Sequence, residues 1–207
     1  MAFTHACFIS YCHAQGYLMK RFVDELKEQL KSELDTYFDD CVYIDEDRLQ
    51  PGFKFNEALG KALCQSACMI LIYVPKYDEH SYCVRELRAM ELLEARRKNL
   101  LAGKLPKEFG MIIPIVLREG VGVPEKIKSK IHYSDFTRYT TATTTIRDNP
   151  QYADQIKDIA KYIHGVAVAF RDLDPCQGCN EFLIPPLEEG APATTEAPPP
   201  PFPNRDI

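Results

Sequence analysis

The chain has 207 residues, with 25 Lys and Arg against 30 Asp and Glu and a formal net charge of -5 when His is neutral. That length holds one full-sized domain with a sizeable core and leaves no room for a second large one. The acidic balance excludes a nucleic-acid surface built on bulk positive potential. The ten glycines are scattered. They form neither a dinucleotide-binding fingerprint nor a phosphate loop, and His-Glu-x-x-His and Gly-x-Ser-x-Gly are absent too, so the enzyme classes resting on those motifs drop out.

The apolar stretch Ala6 to Tyr11 is too short for a signal-peptide core and has no Lys or Arg before it. No other run approaches the roughly 18 apolar residues of a membrane helix. A cytoplasmic location with no membrane partner is therefore expected. In that compartment the eight cysteines are expected as reduced thiols, six of them inside apolar segments as small buried hydrophobes.

In chain order, A-C-F-I-S-Y (Ala6 to Tyr11) reads as a buried strand. Leu18, Phe22, Leu26, Leu30 and Leu34, four apart, then mark an amphipathic helix over Tyr17 to Phe38. C-V-Y-I (Cys41 to Ile44) is a second short strand, ended by Asp45, Glu46 and Asp47, with a turn at Pro51-Gly52. Asn56 can cap a helix that runs to about Ser66 with Leu59 and Leu63 inward. The run C-M-I-L-I-Y-V (Cys68 to Val74) is apolar without alternation, as a central strand covered on both faces would be.

After Pro75 a helix is expected from about Tyr82 to Lys98. M-I-I-P-I-V-L (Met111 to Leu117) is another buried strand, placed nearer the sheet edge by Pro114. Ile131 to Phe136 is a candidate last strand. Tyr152 to Phe170 closes the domain as a helix carrying Ile156, Ile159, Ile163 and Val166 on one side.

Strands alternating with helices predict an α/β fold: a parallel sheet of five strands with helices on both faces. Ligands of such sheets bind outside the carboxyl ends of the strands. The candidate loops are then Cys12 to Gly16, Asp45 to Phe55 and Pro75 to Ser81. The domain is expected to span 1–172, followed by an extension over 173–184. From Pro185 onward the chain holds eight of its fifteen prolines, and four carboxylates outnumber Arg205. This composition predicts a disordered tail over 185–207. The pair Cys176 and Cys179 lacks the two further ligands of a zinc site, so no metal site is expected and two ordinary thiols on a terminal turn are the reading.

At the third helix, H-S-Y-C-V-R-E-L (His80 to Leu87) puts Tyr82 and Glu86 four apart on one face. A ring and a carboxylate projecting together suit a flat heterocycle and a sugar hydroxyl. The plainer alternative is that Glu86 answers the helix dipole while Tyr82 packs.

The chain resembles the TIR (Toll/interleukin-1 receptor) domain family over most of residues 3–170, which implies a flavodoxin-like form of the five-stranded parallel sheet. F-I-S-Y (Phe8 to Tyr11) is similar to the family's first box. Y-I-D-E-D-R-L-Q-P-G (Tyr43 to Gly52) resembles the second strand and its loop, and A-L-G-K-A-L-C-Q-S (Ala58 to Ser66) the helix after it. S-Y-C-V-R-E-L (Ser81 to Leu87) is similar to the Ser, aromatic, Cys, x, x, Glu, Leu pattern of enzymatic members, with Tyr82 where the family usually has Trp.

The resemblance implies that Glu86 is the catalytic residue for cleavage of NAD between nicotinamide and ribose, with NAD as substrate and no resident cofactor. It also implies substrate contacts among Phe8, Ser10, Tyr11, His13, Asp45, Asp47 and Tyr82. Asp45 and Asp47 read equally well as solvated loop charges, Tyr11 as a core aromatic, His13 as a surface residue and His80 as a cap or rim contact. By the same resemblance, the Asp45 to Phe55 loop mediates self-association, and a nucleotide product signals to a separate effector protein, as in stand-alone bacterial antiphage TIR proteins. A non-catalytic TIR adaptor is the alternative, and a virulence factor acting on host TIR signalling a third.

Overall fold

The computed structural model describes residues 2–12, 17–38, 42–43, 55–101, 109–118, 133–139 and 146–186. Strand β1 (His5–Tyr11) is buried along its whole length and leads to helix α1 (Tyr17–Leu34). The pair β2 (Val42–Tyr43) follows, then α2 (Phe55–Gln65) and β3 (Ser66–Tyr73), buried at all eight positions. A single 3₁₀ segment (Pro75–Glu79) joins β3 to α3 (Ser81–Leu100). Beyond it lie β4 (Ile112–Val116), β5 (Ser134–Asp135) and the closing helix α4 (Pro150–Ala169).

The five strands form one sheet in the order β2-β1-β3-β4-β5 with every neighbouring pair parallel. This is the flavodoxin-like arrangement that the family resemblance implies, and the run without alternation is its middle strand. Parallel neighbours need crossovers, which the helices supply on both faces. Helices α1 and α4 pack together, α2 and α3 pack together, and β1 is touched by α2, α3 and α4. Burial of each fully enclosed Ile, Leu or Phe in β1 and β3 contributes about 1.5–3 kcal/mol, the main force holding this sheet between its layers.

Pro114 sits where its missing N–H is tolerated. Among the described residues β5 pairs with β4 only at Ile115 and Val116, just past the proline. Helix α1 stops at Leu34, earlier than the apolar spacing suggests. A turn over 35–37 takes over, with Thr36 Oγ1 donating to Glu33 O and Tyr37 stacked on His164 of α4 at 4.2 Å.

The terminal cysteines correct the expectation of reduced thiols. Cys179 is joined in a disulfide to Cys64 at the end of α2, and only Cys176 of the pair is a free thiol. Sequence spacing could not pair residues 115 positions apart. The expected terminal turn is present, with Cys179 N–H donating to Cys176 O at 3.1 Å. From there the chain runs as a strap over α2 and α3. Cys176 Sγ donates to Ala2 O, Arg96 binds Gln177 O, and Arg85 Nε donates to Pro185 O at 2.8 Å. Gly60 admits the strap because it has no side chain, since a Cβ there would lie 2.4 Å from Phe182 O. The expected tail falls outside the described residues from 187 onward.

Candidate active site

Ser10 is the sixth residue of β1 and points its hydroxyl away from the strand at the carboxyl edge of the sheet. Glu86 lies on α3, the helix that follows the central strand, at the second turn from its start. These two residues, 76 apart in sequence, meet: Ser10 Oγ donates to Glu86 Oε2 at 2.5 Å. A bond this short fixes the plane of the carboxyl group. Glu86 lies past the first helical turn, which contains no acidic residue, so the helix dipole does not account for its position.

Behind the pair stands Tyr77, from the 3₁₀ segment. Its phenol oxygen is 2.7 Å from Ser10 Oγ and donates to Cys83 O at 3.1 Å. Tyr77 is 0 % exposed, and its pKa is raised well above the usual tyrosine value by burial first and by Cys83 and Glu86 next. Cys83 closes the cluster, with its Sγ donating to Tyr11 O at 3.5 Å.

The remaining expected residues fall at different depths. Tyr82 is half-buried one turn before Glu86, with the Arg85 guanidinium 5.4 Å from its ring centroid. Tyr11 is 7 % exposed at the strand end. Phe8 is wholly buried and stacked on Tyr43 at 5.4 Å, two positions before Ser10 on the same strand face. His80 occupies the N-cap position of α3 without a side-chain capping bond. His13, Asp45, Asp47 and most of the Asp45 to Phe55 loop lie outside the described residues.

Tyr77 is the residue the sequence reading missed. A lone tyrosine three residues after a strand carries no pattern of its own, and only the fold brings it against Ser10. A surface cavity of about 200 Å³ lies elsewhere, beside Ala2, Tyr37 and His164, and contains none of these residues. Among the described residues no His, Cys, Asp and Glu side chains form a metal-binding group, and no helix is long and apolar enough to cross a membrane.

The molecule is thus a doubly wound α/β domain with a carboxylate at the edge where such sheets bind ligands. It matches the TIR domain family over residues 7–148, more than half the chain, and belongs to that family. A comparison with curated proteins finds no match. TIR domains in general self-associate and bind NAD, and they serve as NAD-cleaving enzymes or as adaptors.

Proposed function

We propose that this TIR domain is an NAD glycohydrolase or ADP-ribosyl cyclase in which Glu86 is the catalytic residue. The observation that carries the reading is the Glu86 carboxylate beside the end of β1, gripped by Ser10 at 2.5 Å, with Tyr82 one turn earlier on the same helix. One carboxylate suffices for this chemistry. An ordinary glycosidase needs an acid for its leaving oxygen and a second carboxylate opposite, whereas the pyridinium of NAD is already cationic and departs as neutral nicotinamide. The task left for the protein is to stabilise the oxocarbenium-like ribose, which a fixed anion in a partly dry site does electrostatically. Water, the adenine of the same molecule or an added acceptor then closes the reaction, giving ADP-ribose, a cyclic isomer or a conjugate.

Activity is conditional in this reading. Glu86 is 6 % exposed and shut away from bulk NAD, which suits an enzyme that stays quiet until self-association through the Asp45 to Phe55 loop reorganises the site. The product would act as an intracellular immune signal on a separate effector, as in bacterial antiphage systems.

The test is incubation of full-length protein, dilute and assembled, with NAD, followed by mass analysis of the products. Assembled wild type is expected to release nicotinamide, and Glu86→Gln and Glu86→Ala to lose roughly 10²- to 10³-fold or more of that rate. Release indifferent to Glu86 would sink the enzyme and leave the adaptor.

A further inference from the structure

Resting on that reading, we propose that Tyr77 is a positioning residue for the reaction, acting on Glu86 through Ser10. A serine hydroxyl has a single proton to give. Ser10 gives its proton to Glu86 Oε2. Along the 2.7 Å contact with Tyr77, Ser10 must therefore be the acceptor and the phenol the donor. The Cys83 carbonyl, at the longer 3.1 Å, takes the weaker share of the same phenol proton.

The result is a directed chain, Tyr77 to Ser10 to Glu86, in which each bond polarises the next. All three members are nearly or wholly enclosed, with Tyr77 at 0 %, Ser10 at 1 % and Glu86 at 6 % exposure, so water competes little for these bonds. The members also come from three separate elements: the strand β1, the 3₁₀ segment after β3, and α3. Tyr77 is too deep to touch NAD. Its effect is to hold the Ser10 hydroxyl from the side opposite Glu86, and through it the plane of the carboxylate. A catalytic anion held in one orientation stabilises developing positive charge without reorganising.

The experiment is a double-mutant cycle on assembled full-length protein with NAD: wild type, Tyr77→Phe, Ser10→Ala, the double variant, and Glu86→Gln as the reference. Phenylalanine keeps the ring in the core, and circular dichroism verifies folding. Tyr77→Phe is expected to lower kcat roughly tenfold, the size of one hydrogen bond to a charged chain, with KM unchanged. The double variant is expected to be no slower than Ser10→Ala alone, because the phenol has nothing left to act through.

Losses that multiply in the double variant, or a Tyr77→Phe effect confined to KM, would mean that the phenol acts independently of Ser10 and overturn the proposal. Undiminished kcat in Tyr77→Phe would do the same while leaving the enzyme reading intact. Nicotinamide release that ignores Glu86→Gln would overturn both. A Ser10→Thr variant, which keeps the hydroxyl, should retain sensitivity to Tyr77→Phe.

Discussion

Arg97 lies in the last turn of α3, where a cation normally stays in water near the helix C-terminus. Here it is 0 % exposed. It donates from Nη1 to Ser66 O at 3.0 Å and from Nη2 to Cys64 O at 2.5 Å, and its guanidinium carbon lies 4.8 Å from the ring centroid of Phe3. Burial pushes its pKa down from 12.5 to about 10, which still leaves it charged at neutral pH. One side chain therefore ties the end of α2 and the start of β3 to the segment before β1. Arg97→Ala removes the guanidinium donor from two buried carbonyls and leaves a void beside Phe3. A loss of about 3 kcal/mol follows, read as a fall in Tm of about 6–12 °C in a thermal melt. An unchanged Tm would contradict this linking role. The sequence hides it because Met90, Leu93 and Arg97 share the buried stripe of α3, yet the last of them reads as polar. Glu86 was legible for the opposite reason: its spacing from Tyr82 and the surrounding motif mark it before any contact is seen.

At the scale of elements, apolar runs were the strongest signal. Strands β1 and β3 are buried at every position and lie within a few residues of where their composition puts them. Ends were harder, as α4 illustrates. Its apolar period begins at Tyr152, but the helix begins at Pro150, capped by Asn149 Oδ1 accepting from Gln151 N–H at 2.9 Å and Tyr152 N–H at 3.3 Å. The Asn-Pro signal was present in the sequence, and a reading led by hydrophobic period passes over it. Gly60 makes a sharper case. In an ordinary helix interior Gly→Ala stabilises by about 1 kcal/mol. In α2 the added methyl meets the backbone at Phe182 and Ile184, so the sign reverses. Gly60→Ala should cost about 1–3 kcal/mol, as overpacking does, and limited proteolysis should cut the strap near Leu183 faster than in wild type. A more stable variant with a protected strap would refute that contact.

Across the whole molecule, strand order and long-range covalent pairing are what composition does not carry. The alternation of elements predicts a parallel sheet, while the partners of β1 follow from packing. The bond between Cys64 and Cys179, 115 positions apart, closes a loop that holds β3, α3, β4, β5 and α4. In the chain-entropy account a loop of that size stabilises by about 5 kcal/mol at 25 °C. Oxidised wild type should therefore resist urea better than either reduced wild type or Cys179→Ser, and reductant should leave Cys179→Ser unmoved. Identical denaturation curves for oxidised and reduced wild type would remove the bond from the account.

The region matched to the TIR family ends at 148, two residues before α4 begins. Yet α4 presents Ile156, Ile159 and Ile163 to the interior and packs on α1, whose Phe22, Leu26 and Leu30 are almost fully enclosed. A fragment trimmed to the homology limits would lay that oily flank open to water and invite clumping. For anyone choosing where to cut the gene, the covalent partner at 179 is the better guide than the family boundary.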